Sequence, residues 1–555
     1  MLNNKFLPFA VLALTHAIAS AQAPTAGSQL RQIPPSPTPQ QAAPHILVEQ
    51  ADAHSAAAAS ALKIDVASLR VTGARAYPEA ALLGVTGFRP NSRLTLSELR
   101  AMAVKIEQEY RSNGYFVAQA YLPPQDIQNG VVTIAVLEGK YGQVRTRNQS
   151  GVSGTLVDGL LGGLDSGDTV ARAPLESRLL LLSDLPGVYV KSTLVPGTTP
   201  GTADLLVDLT PGQGISGSID ADNAGSRYTG RNRIGATVNL NEPFGVGDVA
   251  SLRVLSSGDG LNYARASYQR QFGRARAGVA YSKLAYKLGA EFDSLQARGT
   301  AEVASVYGNY PLIRSLHNNL YAQLSYDDKT FQDKVEVAAL VTDKKARAAT
   351  ASLYGDYHDA IGGGGLNNYS LSLTAGELDI VSPDVRAFDA LTARTNGSYR
   401  KLAYSASRLQ AVSQSLSLYG AINGQLASKN LDVSERLSLG GIGGVRAYPE
   451  GEAYGDQGYV INLEARQRLP ALWTGQPGQV HLIGFVDHGS VTRNKQPWMA
   501  GDARTALSGA GVGLSWADDN NFVVRSYYAH KLGNGMATSA PDKGGRFWIQ
   551  AVKYF

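Results

Sequence analysis

Few residues in this chain of 555 have the types and spacing that do chemistry. Gly212-Gln213-Gly214-Ile215-Ser216-Gly217 has the G-x-G-x-x-G spacing that cradles a pyrophosphate when a helix N-terminus follows it. Here strand-like alternation follows, so no helix dipole receives the anion and the glycines are expected to form a hinge. The eight His residues are dispersed, and His481 and His488 read as strand residues rather than metal ligands. There is no Cys, which excludes thiolate nucleophiles, Cys-based zinc sites and disulfides. The sequence holds no G-x-x-x-x-G-K-[ST] phosphate loop, no G-x-S-x-G elbow and no H-E-x-x-H pair. No catalytic residue, metal or cofactor is therefore expected, and the chain does not read as an enzyme.

The elements that would position any site point away from a soluble protein. Charged residues are only 17%, beside 60 Gly and 27 Tyr, where a soluble globular chain carries about a quarter charged residues. The net charge of +5 comes from scattered Lys and Arg, with no basic stretch interleaved with aromatics, so nucleic acid is not an expected partner. Beyond Pro211 apolar and polar residues alternate at period two: Ile234, Ala236, Val238 and Leu240 against Gly235, Thr237 and Asn239, and likewise Tyr369 to Ala375 and Ile461 to Arg466. The pattern runs to the final Phe555 without a helical interruption, enough for roughly sixteen tilted membrane strands. Counting back from the end places strands at 546–555, 521–531, 506–517, 480–487, 460–468 and 415–426. Asp518-Asp519-Asn520 is then a short periplasmic turn, and 427–459 a long loop on the outer side.

The first part of the chain reads differently. Lys5, the apolar run from Phe6 to Leu14 and Ala19-Ser20-Ala21 form a signal peptide over 1–21, so the mature protein leaves the cytoplasm. Residues 22–62 follow as an N-terminal segment with a Pro-rich linker around Ile33-Pro34-Pro35-Ser36-Pro37-Thr38-Pro39. Within it, 27–32 has room for one or two turns of helix, and the sequence does not say whether 22–31 forms a plug helix inside a pore. Two α+β units come next, over 63–140 and 141–213, with a shared order of strand, helices, strand, strand. In the first, 64–71 is a strand, 95–113 a helix opened by a Thr95-x-x-Glu98 capping box, and 116–122 and 131–137 are strands. In the second, strands at 141–147, 188–194 and 204–209 flank helices at 156–161 and 175–182. The barrel is expected over 214–555.

Three motifs carry a resemblance. Val445-Arg446-Ala447-Tyr448 follows a glycine-rich stretch in the long loop, Phe485-Val486-Asp487-His488-Gly489 stands in a strand, and Leu181-Leu182-Ser183-Asp184-Leu185-Pro186-Gly187 closes a helix of the second unit. The chain resembles the two-partner secretion transporters of Gram-negative bacteria, the TpsB or haemolysin secretion/activation family. The first motif is similar to its VRG[YF] loop, the second to F-x-D-x-G, and the third to a turn in its second POTRA, a polypeptide-transport-associated domain. Ala447 departs from the family glycine, which would matter if that position had positive φ. The resemblance implies that the loop folds into the barrel lumen and that Arg446 pairs there with Asp487, with Val445, Ala447 and Tyr448 beside it and Phe485 and Gly489 on the wall. A guanidinium and a carboxylate can bond bidentately and fix a loop that has no regular structure.

The fold class expected is thus α+β periplasmic POTRA domains followed by an all-β transmembrane barrel of roughly sixteen antiparallel strands, in the outer membrane. The function implied is export of an unfolded secreted partner of the TpsA kind, through a polar lumen that includes Glu464, Arg466 and Arg468. The alternative is a factor that inserts other barrels, and a diffusion or uptake porin is a third reading. Further partners implied are outer-membrane lipid and, from the aromatic last strand with Phe547, Trp548 and Phe555, the barrel-assembly machinery. Lys553 interrupts the apolar alternation of that strand.

Overall fold

The computed structural model describes residues 24–39, 45–48, 63–498, 501 and 503–555. The targeting segment around Lys5 and Ala19 lies outside the described residues. The first described elements are a helix α1 (Ala26–Arg31) and a short strand β1 (His45–Val48). The first α+β unit contains β2 (Lys63–Val66), β3 (Ser68–Thr72), α2 (Glu79–Thr86), β4 (Ser92–Thr95), α3 (Leu96–Ser112), β5 (Gln119–Tyr121) and β6 (Val131–Leu137). Thr95 opens α3 by accepting from the Glu98 amide at 3.2 Å, while the Glu98 carboxylate accepts from the Thr95 amide at 2.6 Å, so two orphan donors are satisfied. Leu99, Ala103, Ile106 and Tyr110 recur on one face of α3 and are buried against Leu82, Val132 and Ile134.

Three expectations for this unit need correction. The strand expected over 64–71 breaks at Ala67, whose amide donates to Gly130 O at 2.8 Å. As a result β2 pairs antiparallel with β4 while β3 pairs parallel with β6. Helix α2 was not foreseen, because it is short, apolar without clear periodicity, and starts at Pro78 with no side-chain cap. The strand expected over 116–122 shrinks to three residues, since a turn occupies its start, with the Ala118 amide bonded to Tyr115 O at 3.0 Å.

The second unit contains β7 (Lys140–Asn148), α4 (Gly154–Leu161), α5 (Arg172–Ser183), β8 (Val188–Pro196) and β9 (Thr202–Pro211). Its sheet has the order β1-β8-β9-β7, so a strand from the segment expected to be linker is added parallel to β8, His45 opposite Lys191. A parallel partner needs no local turn, which is why nothing in the neighbouring sequence announces it.

The barrel strands are β10 (Ile215–Asp222), β11 (Arg233–Asn241), β12 (Val249–Ser256), β13 (Leu261–Phe272), β14 (Ala275–Lys287), β15 (Ala297–Arg314), β16 (Asn318–Val335), β17 (Leu340–Asp359), β18 (Gly365–Ile380), β19 (Gly397–Ala411) and β20 (Leu416–Ala427). Two short strands, β21 (Leu437–Ser438) and β22 (Tyr454–Gly455), pair inside the long loop. Then follow β23 (Gln457–Arg468), β24 (Gln479–Thr492), β25 (Arg504–Asp518), β26 (Phe522–Lys531) and β27 (Gly545–Tyr554). Setting aside β21 and β22, these sixteen strands close antiparallel, β27 pairing with β10. Strand β24 runs past the expected end at 487, so His488 and Gly489 lie within it. Gly217, expected in a hinge, lies in β10; its amide and carbonyl bond Phe555 at 2.9 and 3.1 Å, and a Cβ there would meet the Phe555 ring at 2.6 Å.

The distribution of polarity decides what surrounds this cylinder. Ile234, Leu252, Val279, Leu371, Leu373, Leu463 and Val512 are exposed on its outer wall, whereas Asp220, Arg253, Glu464 and Asp487 are buried inside. An apolar outer wall around a polar interior is the distribution a membrane barrel has. The second α+β unit docks on the end of the barrel that carries the short turns. There Asp184 pairs with Arg314 at 2.7 Å, Glu176 accepts from the Leu316 amide at 2.6 Å, and the Ser153 amide donates to Gly245 O at 2.8 Å.

Candidate functional site in the barrel lumen

The loop between β20 and β23 does not stay outside. It turns back into the lumen on a glycine-rich stretch in which Gly441 has φ 101, a conformation that side chains disfavour. The Val445 amide donates to Leu439 O at 2.7 Å and the Tyr448 amide to Val445 O at 3.0 Å, so the tip is a tight, internally bonded turn. Arg446 projects from that tip towards β23 and β24.

The Arg446 side chain finds partners on both strands. Arg446 Nη2 and Nε donate to the two oxygens of Asp487 at 2.7 and 2.9 Å, its backbone amide adds a bond at 3.0 Å, and Nη1 donates to Glu464 at 2.7 Å. Asn462 donates to Asp487 at 2.7 Å and to Gly444 O at 3.0 Å, which fills the acceptor capacity of the carboxylate. The guanidinium lies 3.6 Å from the centre of the Phe485 ring, so the aromatic residue of the strand motif is a cation–π platform. Trp548 donates from its indole to the Arg446 carbonyl at 2.7 Å. Burial pulls the Arg446 guanidinium down, but Asp487 and Glu464 more than reverse that effect, so the cation persists out of water.

The motif residues around the pair are explained by space. A Cβ on Gly489 would lie 2.9 Å from the end of the Leu439 side chain and 3.3 Å from Val445, so the glycine lets the loop pack closely against β24. Ala447 is buried and is not among the residues with positive φ, so its methyl costs no backbone strain. Gly509 on β25 makes room for it: a Cβ there would come within 2.5 Å of the Ala447 methyl. Tyr448 is buried and donates to Gly535 O at 3.1 Å.

All seven sequence-predicted residues, Val445, Arg446, Ala447, Tyr448, Phe485, Asp487 and Gly489, thus meet in one place. Glu464 and Arg466, expected to line an open polar path, are instead bonded to each other at 2.8 Å and, through Glu464, to Arg446. Arg468 is bound through its amide to Ser415 O at 2.7 Å, at the far end of the strand. Sequence reasoning missed the roles of Trp548, Asn462, Gly509 and Glu452. Glu452 accepts from Thr538 and Ser539, both from their amides and from their hydroxyls at 2.7 Å, and so fastens the loop to the connection between β26 and β27. The period-two face that holds Asp487 would have flagged Asn462, which lies directly across the ladder.

Helix α1 also lies in the lumen. Its first amide donates to Asp333 at 2.7 Å, Gln29 accepts from Thr229 at 2.7 Å, and Arg233 donates to the Gln32 carbonyl at 2.9 Å, so an acid faces its N-terminus and a cation its C-terminal end. Among the described residues no set of three His, Asp or Glu side chains gathers as a metal site.

Residues 201–516 match the model of the haemolysin secretion/activation proteins ShlB/FhaC/HecB, and 64–139 match the ShlB-type POTRA domain. The chain belongs to that family. The heme/hemopexin transporter protein HuxB of Haemophilus influenzae is 30% identical over 471 residues, 83% of this chain and 82% of that protein. The outer membrane transporter CdiB of Dickeya dadantii is 24% identical, over 76% and 75% of the two chains. The solved structure of CdiB from Escherichia coli superposes with a TM-score of 0.70 at 18% identity, covering 100% of this chain and 99% of that one, and it shares the fold. As a family member the chain is an outer-membrane transporter that exports a partner protein, with its POTRA part in the periplasm.

Proposed function

We propose that the units at 63–140 and 141–213 are two POTRA domains. They take up one secreted partner of the TpsA kind as an extended chain and pass it into the barrel over 214–555 once the Arg446 loop withdraws. Main-chain pairing at a sheet edge gives affinity without demanding a folded epitope. The observation that carries the reading is the closure itself: the loop is held in the lumen by a charge-assisted contact between Arg446, Asp487 and Glu464, which is strong when made yet reversible. No catalytic step belongs to this reading, and progress outward is driven by the partner folding outside. Residues 1–21 serve as a signal peptide and 22–62 as the N-terminal segment. The exposed apolar wall contacts outer-membrane lipid, and the aromatic last strand is the part offered to the barrel-assembly machinery.

Deleting the gene tests the reading against insertion of other barrels. Loss of a single secreted protein from the culture medium, with other outer-membrane barrels at normal abundance, is expected. A general fall in barrels would overturn it.

A further inference from the structure

The lumen holds a second cluster of buried charge that the Arg446 contact does not involve. Just before the glycine-rich stretch, the loop makes a single turn at Val433–Glu435 that carries Asp432 and Glu435. Glu435 is pinched between two lysines of the wall, Lys329 on β16 at 2.7 Å and Lys401 on β19 at 2.5 Å. Asp432 pairs with Lys344 on β17 at 2.7 Å and also caps the turn through the Ser434 amide at 3.0 Å. All five side chains are largely buried, none more than 16% exposed.

The polarity is the reverse of the contact at β23 and β24. There the loop supplies the cation and the wall the acids; here the loop supplies the acids and the wall the cations. The loop is therefore fastened to two separate parts of the cylinder by contacts of opposite sign. Helix α1 sits on this second contact: a Cβ on Gly27 would lie 2.8 Å from Ser434 Cβ, so helix and turn touch with no spare room. The inward face of β16 serves both, Lys329 holding the loop and Asp333 holding the first amide of α1, with buried Phe331 between them.

We propose that Lys329, Lys344 and Lys401 with Asp432 and Glu435 form a second anchor of the closing loop, and that this anchor ties the loop to α1 so that both leave the lumen together. These are positioning residues for export, and the inference rests on the reading of the Arg446 loop as the closure. Removing one acid strands lysines out of water: two for Glu435, one for Asp432. The anchor should therefore release well before the barrel unfolds.

The test uses the full-length protein in planar bilayers, comparing Glu435→Gln, Asp432→Asn, Arg446→Ala and the exchange Asp432→Lys with Lys344→Asp. A reporter, Ser28→Cys in this cysteine-free chain, measures exposure of α1 by its rate of labelling with a maleimide. Glu435→Gln is expected to raise both the open-channel fraction and the Ser28→Cys labelling rate on the order of tenfold or more. The exchange keeps the ion pair but gives up the Ser434 cap, so it should return both part of the way towards the unaltered protein, which also covers the case in which a single variant does not assemble. If Arg446→Ala opens the channel while the acid variants do not, the second anchor is wrong and the closure reading stands. If no variant opens it, the closure reading itself fails. Channel opening in Glu435→Gln without faster labelling, or an exchange that restores neither readout, would also overturn the proposal.

Discussion

At the scale of single residues, the site works because one guanidinium has more donors than one carboxylate can use. Arg446 spends three bonds on Asp487, counting its amide, and one on Glu464, and lays its flat face on Phe485. Replacing Arg446 with Ala strands Asp487 and leaves Glu464 only Arg466, and should cost the closed state about 3–5 kcal/mol. The open-channel fraction in planar bilayers should rise at least about tenfold while the barrel remains detectable in outer membranes. Arg446→Lys keeps the charge but loses the fork and the stacking, so it should rescue little. Acidity tests the second cluster. Burial pushes the Glu435 carboxyl up, but Lys329 and Lys401 more than reverse this, to about 2, and Lys344 holds Asp432 low in the same way against its burial. A depressed folded pKa gives stabilisation that is complete above the ordinary carboxylate range and is lost progressively as pH falls from that range through the folded value. With Asp333, Arg31 and the three lysines as neighbours, this cluster should therefore not open the channel between pH 7.5 and 5, while Glu450 in the same loop, raised to about 7 by burial, sheds its charge there and favours the closed state. Opening within that window would contradict the assignment. The Arg446–Asp487 pair was legible because short motifs travel with the family resemblance. Glu464 was legible as lumen-facing but not as a partner of Arg446; Trp548 and the lysine cluster were not legible, because they come from strands far along the chain and no local spacing records them.

At the scale of elements, the loop seats on β24 and β25 through two glycines, and each can be tested by size. Gly509→Ala would drive a methyl against that of Ala447, so the loop tip should lift and the open-channel fraction rise. Adding Ala447→Gly restores the space, and the double variant should behave like the unaltered protein in the same bilayer recording. A double variant as open as Gly509→Ala alone would show that the two positions are not in contact. The barrel strands were readable because one wall faces lipid and the other the lumen, which imposes strict alternation; the turn at Asp518-Asp519-Asn520 falls where counting placed it, with Asn520 at φ 60. Elements that alternation does not govern were missed or misjudged. Helix α2 is too short and too evenly apolar, the strand over 64–71 is interrupted by a bond to Gly130, and β1 is paired with a strand more than a hundred residues away.

At the scale of the whole molecule, the chain is a sixteen-stranded barrel closed by its own segments, the loop with Arg446 and helix α1, with an α+β unit seated on the turn end of the barrel through Asp184 and Arg314. The alternation announced the barrel and the resemblance announced the loop; the described helix could be suspected only as a turn or two, since six residues carry no usable period. The central claim is that the loop must leave the wall for the partner to pass. A tether tests it: Val445→Cys with Gly489→Cys, positions whose side chains would be in contact, in a chain with no Cys of its own. With the disulfide formed in cells, the partner should be absent from the medium and reappear after a reducing agent is added. Undiminished secretion from oxidised, fully tethered protein would contradict the account.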